Sequence, residues 1–106
     1  MEIIFHEHHA TVSDYMRQRA SAGVRRLTAR LDRAVDAVVR FEQDGPTRRV
    51  EIILHLPRQK RLVAKAEGRH FGPAIGEALA KLRVQSAAVK RPTRARAARS
   101  RVLARA

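Results

Sequence analysis

The fold is read from residues 35–68, VDAVVRFEQDGPTRRVEIILHLPRQKRLVAKAEG, where apolar residues alternate with polar ones in three runs. In the first run, residues 35–42, Val35, Ala37, Val39 and Phe41 share a face. Asp44-Gly45-Pro46 is a turn signal. In the second, residues 48–56, Val50, Ile52, Leu54 and Leu56 point one way, and Glu51, Ile53 and His55 the other. Residues 57–60 turn the chain again. The third run, residues 61–68, places Leu62, Ala64 and Ala66 inward and Val63, Lys65 and Glu67 outward. Successive strand side chains leave opposite faces. Three half-polar strands in a row therefore predict an antiparallel meander with one face in water.

The flanking segments supply the rest. MEIIFHE at residues 1–7 reads as a further strand, with Ile3 and Phe5 on one face and Ile4 and His6 on the other. Ser13 is placed to cap a helix that runs to about residue 31 or 33, and Asp14 suits its first turn. Met16, Ala20, Val24, Leu27 and Leu31 recur at helical spacing as its buried stripe. Gly23 weakens that helix, which implies a close neighbour. Pro73 fits the first turn of a second helix. Ile75, Ala78, Leu79, Leu82, Ser86 and Val89 would line its inner face, and Pro92 would end it. The order β-α-β-β-β-α predicts an α+β two-layer sandwich with both helices on one face of a four-stranded sheet. Residues 1–91 are then one folded domain. Residues 92–106 are an Arg/Ala-rich basic tail, too poor in large apolar side chains to fold alone and expected to be disordered.

Charge narrows the function. The chain of 106 residues holds 23 Lys+Arg against 10 Asp+Glu, a formal net charge of +13, and no acid follows Glu77. Such a field attracts polyanions, and phosphate neutralisation supplies most non-specific nucleic-acid affinity. A GC-rich genome explains Arg in place of Lys but not the missing acids. On a helical wheel Arg19, Arg26, Arg30 and Arg33 fall within about 60° of one another. Lys81 lies on one shoulder of the second helix, and Arg83 and Lys90 on the other. One basic shoulder from each helix frames a groove suited to a phosphate backbone. The bland alternative is a solvated helix face. Aromatic residues are few, so phosphate and shape recognition is expected over base stacking.

Other classes fare worse. There is no cysteine, hence no disulfide or thiolate chemistry, which fits a reducing cytosol. MEIIFHEHH carries an early acid and is no signal peptide. Nothing reaches transmembrane length, so no membrane partner is expected. His6, His8 and His9 form a weak metal signal that lacks a third or fourth ligand with its supporting shell. No nucleophile elbow, P-loop or paired carboxylates occur. The chain reads as a non-enzyme with no cofactor and no small-molecule substrate.

Several segments together carry a family resemblance. MEIIF resembles the opening strand, and VSDYMRQRASAGVRRL the capped first helix, of the ribosome hibernation-promoting factor and ribosome-associated inhibitor A family. VEIILHLP and LVAKAEG resemble its later strands, and AIGEALAKLRVQ the start of its second helix. The match covers about residues 1–91. Three positions depart from the pattern: in the run His70-Phe71-Gly72, His70 and Gly72 stand where the family has Asp and Tyr around an apolar residue, and Val84 replaces a usual Arg. The resemblance implies an architecture like that of double-stranded-RNA-binding domains. It also implies a short-form protein on the small ribosomal subunit, in the channel of mRNA and tRNA anticodon ends. There it would contact rRNA and block initiation during starvation or stationary phase, in the cytoplasm. The residues expected to touch RNA are Arg17, Arg19, Arg26, Arg30, Arg33, Lys81, Arg83, Lys90 and Arg91. Ribosome dimerisation, with or without a second hibernation factor as partner, is a separate question. The competing readings are a generic RNA- or DNA-binding module, a His-based metalloenzyme, and an adaptor using the open sheet face.

Overall fold

The structure, a computed structural model, describes residues 1–31, 34–58 and 60–105, with side chains up to Ala88 within those spans. The chain runs β1 (Glu2–His8), α1 (Asp14–Thr28), β2 (Asp36–Asp44), β3 (Thr47–His55), β4 (Arg61–Gly68) and α2 (Phe71–Arg105). The sheet order is β1-β2-β3-β4. The expected meander is β2-β3-β4, antiparallel throughout. β1 joins it parallel to β2, with α1 as the crossover that a parallel pair requires.

Local chemistry sets the boundaries. Asp44 pairs with Thr47 across a two-residue turn whose first member, Gly45, has φ 59°. Hairpin turns of this length need a positive φ there, which glycine adopts without strain. The Leu56 N–H donates to the Lys60 carbonyl at 2.7 Å, closing the next turn. Ser13 caps α1, its Oγ accepting from the Met16 N–H at 3.2 Å. α1 ends sooner than expected: Ala29 is its C-cap, and Leu31 packs on the core from beyond the helix. Val35 was expected inside, yet it precedes β2 and is 55% exposed. α2 does not stop at Pro92; its span continues to Arg105. The expected inward Val89 concerns a side chain outside the described residues, and all but the last residue of the tail expected to be disordered, residues 92–106, falls within the span of α2.

Register places one apolar layer between sheet and helices. Phe5, Val39, Ile52 and Ala64 form one row across the four strands, and Phe41, Val50 and Ala66 lie in the next. Val39, Phe41, Ile52 and Leu54 are fully buried, as are Val24 of α1 and Ile75 and Leu82 of α2. Phe41 stacks on Phe5 and meets Phe71 edge to face at 5.4 Å. Each such side chain is worth about 1.5–3 kcal/mol when fully buried. Buried Ser86 satisfies its hydroxyl within α2, donating to the Leu82 carbonyl at 2.8 Å.

Candidate nucleic-acid interface

The two helices lie side by side and run the same way. Leu79 of α2 packs on Gly23 of α1 so closely that an added Cβ would stand 2.3 Å from its Cδ1. One to two turns earlier, Met16 and Arg19 lie against Gly72, and Arg19 against Gly76. Contacts that advance together along both chains mean parallel axes. The suspected neighbour of Gly23 is thus Leu79. Helical spacing then aligns two stripes: Arg19, Gly23 and Arg26 on α1 face Gly72, Gly76, Leu79 and Arg83 on α2, and Arg30 follows in the turn just past the C-cap of α1. Arg19, Arg26, Arg30 and Arg83 are all exposed, which puts these four positions on the solvent side of the helix pair.

The described acids are held away from that groove. Glu2, Asp36, Glu42, Asp44, Glu51 and Glu67 share the open face of the sheet by strand parity. There they are largely neutralised in place. Glu51 bridges Arg40 at 3.6 Å and Lys65 at 3.4 Å, Asp36 pairs with His55, and Arg49 meets Glu42, Asp44 and Glu67. Arg49 is held more firmly protonated than usual, chiefly by its hydrogen bond to Glu67. The remaining described acids, Glu7, Asp14 and Glu77, pair with Arg17 or Lys81.

The structure therefore sorts the residues expected to touch RNA into three groups. Arg19, Arg26 and Arg83 fall on the facing stripes of the two helices, with Arg30 just past the end of α1. Arg17 and Lys81 do not join them. Arg17 bonds Glu7 at 2.5 Å, Asp14, and the Val12 carbonyl at 3.0 Å. Its already high pKa is raised further, first by Asp14 and then by Glu7. Lys81 reaches over the sheet edge to the Lys65 carbonyl at 2.8 Å, while Gln85 donates to the Val63 carbonyl at 2.7 Å. Together they occupy the edge of β4, where unpaired carbonyls would invite strand addition. Arg33 lies outside the described residues; Lys90 and Arg91 fall within α2, but their side chains lie outside those described.

The other candidate chemistry gains little. His6 and His8 stand on the open face opposite Arg40 and Glu42, and His8 packs edge to face on His9. Among the described residues no group of three His, Cys, Asp or Glu is arranged to hold a metal ion. None of the described helices is long and apolar enough to cross a membrane. Sequence reading missed Gly72 and Gly76 as groove-forming positions. Their i, i+4 spacing was visible, but not which face it would turn to α1.

A mixed four-stranded sheet backed by two parallel helices, with a guanidinium-rimmed groove and acids on the far side, defines an α+β protein with a polycationic helix face. The family model for Sigma 54 modulation protein / S30EA ribosomal protein matches residues 3–91, and the chain belongs to that family. The resemblance to hibernation-promoting factors is borne out by that match. A ribosomal subunit interface protein from Coxiella burnetii is 19% identical with TM-score 0.78, covering 85% of this chain and 98% of its own. The Protein Y N-terminal domain of Thermus thermophilus is 24% identical with TM-score 0.71, covering 81% of this chain and 96% of its own. At these identities the likeness establishes the shared fold. A search of curated proteins finds no match.

Proposed function

We propose that this protein is a ribosome-associated translation inhibitor of the hibernation type. It binds small-subunit rRNA in the mRNA–tRNA channel under stress or in stationary phase, and acts by occupancy, without catalysis, in the cytoplasm. The observation that carries this reading is the charge segregation: acids on the open sheet or ion-paired, guanidiniums on the interhelical groove, in a member of a ribosomal protein family. Arg26 and Arg83 stand on opposite walls and are the residues most directly placed to bracket a phosphate backbone, which Arg engages through two parallel N–H donors. Arg19 and Arg30 extend the same track.

The test is sedimentation of a stationary-phase lysate through a sucrose gradient at moderate salt. Wild-type protein should co-migrate with small subunits, monosomes or ribosome dimers. Arg26→Glu/Arg83→Glu should move to the top of the gradient while its circular dichroism spectrum stays unchanged. Wild-type protein found only at the top refutes the ribosome reading. A double variant that still co-sediments refutes the groove as its contact face. Efficient competition by a generic RNA duplex would favour an unspecialised nucleic-acid module instead.

A further inference from the structure

The groove has one end unlike the rest. Tyr15 is 68% exposed, whereas Phe41 and Phe71 are buried and Phe5 packs against the core. Tyr15 stands four residues before Arg19, at the head of the same stripe, and side chains at that spacing are neighbours. Arg19 itself is seated in a notch. Its Nη1 lies 3.1 Å from where a Cβ on Gly72 would stand, its Nη2 4.0 Å from that of Gly76, and the Met16 methyl lies 3.6 Å from the same Gly72 position. A methyl at 72 would ask the flexible guanidinium to shift by a few tenths of an ångström, whereas a large side chain there would take the space it occupies. Among the described residues Arg19 has no ion-pair or hydrogen-bond partner, and the first turn of α2 contains no acid. An exposed ring and an uncommitted, positioned guanidinium thus sit side by side.

We propose that Tyr15, Arg19 and Gly72 form a seat for one unpaired nucleotide of RNA. The Tyr15 ring stacks on the base, and the Arg19 guanidinium takes the adjoining phosphate, with Gly72 providing the room. A duplex does not present a base face to a side chain, whereas loops, bulges and single strands do. The seat thus selects single-stranded RNA at one end of a groove that otherwise reads phosphates. The inference rests on the rRNA reading for its biological partner, but its test needs no ribosome.

Tyr15 is the sole tyrosine and there is no tryptophan, so intrinsic emission reports on this ring alone. The full chain is titrated with single-stranded oligoadenylate five nucleotides long, and with an abasic sugar-phosphate chain of equal length, correcting for absorbance. Oligoadenylate should bind and quench the emission; the abasic chain should bind more weakly and leave it unquenched. Tyr15→Leu should weaken oligoadenylate binding by about fivefold or more, the loss expected for one stacked base. Tyr15→Phe should keep it. Gly72→Leu should weaken both ligands by taking the space that the Arg19 guanidinium occupies, and Gly76→Ala, which leaves ordinary contact distance, should weaken neither. Absence of quenching on bound RNA, equal affinity for the two chains, or a Tyr15→Leu variant indistinguishable from wild type would overturn the seat. Sedimentation of wild type with ribosomes would in that case still stand, which separates failure of the seat from failure of the ribosome reading.

Discussion

Gly23→Ala tests the helix pairing on which the groove depends. Two effects of opposite sign compete. Alanine in a helix interior is favoured over glycine by about 1 kcal/mol. Its methyl, however, would stand 2.3 Å from Cδ1, 3.1 Å from Cδ2 and 3.3 Å from Cγ of Leu79. Rotating the Leu79 end group only exchanges one methyl for the other, because Cγ itself is close. Relief therefore needs a new χ1 or a shift of α1 away from α2, and such overpacking costs about 1–3 kcal/mol. The expected net is a loss of roughly 0–2 kcal/mol, since the overpacking cost equals or exceeds the propensity gain. That corresponds to a melting point lower by about 4–8 °C per kcal/mol for a domain of this size. Urea and thermal unfolding followed by circular dichroism measure it. The stronger evidence is a sign reversal. In a Leu79→Ala background the obstruction is gone, so Gly23→Ala should become stabilising by up to about 1 kcal/mol. A stabilising Gly23→Ala in the native background, or identical effects in both backgrounds, would refute the close parallel pairing and with it the groove.

Two further outcomes separate structural from binding roles. Ser13→Ala should lower stability by about 1 kcal/mol through loss of the α1 cap, in urea unfolding, while ribosome co-sedimentation persists. Arg17→Gln should lower the melting point because Glu7, Asp14 and the Val12 carbonyl lose their shared donor, yet leave the log–log salt slope of RNA binding unchanged. Arg26→Gln should do the reverse, holding the melting point and reducing that slope by about 0.9 for duplex RNA-like contacts. A reduced slope for Arg17→Gln would return Arg17 to the interface.

The sequence by itself determined what depends on short-range pattern. Alternation along residues 35–68 set three strands and the face each buries, because a strand's side-chain period is two and water tolerates polar residues on one side only. Gly45, Ser13 and Pro73 marked a turn, a cap and a helix start by their own backbone chemistry, and charge counting exposed the acid-poor second half. The tertiary structure decided what depends on which faces meet. Val35 and Arg26 look equally regular on a wheel or a strand ladder; only the end of β2 leaves the first outside and only the parallel helix pairing turns the second to the groove. Arg17 and Arg19 are two residues apart and chemically alike. One is held by Glu7, which β1 delivers from ten residues away, and the other by a notch in Gly72 and Gly76, more than fifty residues downstream. No local signal separates them, since a guanidinium's role is set by the groups that folding brings within a few ångströms of it.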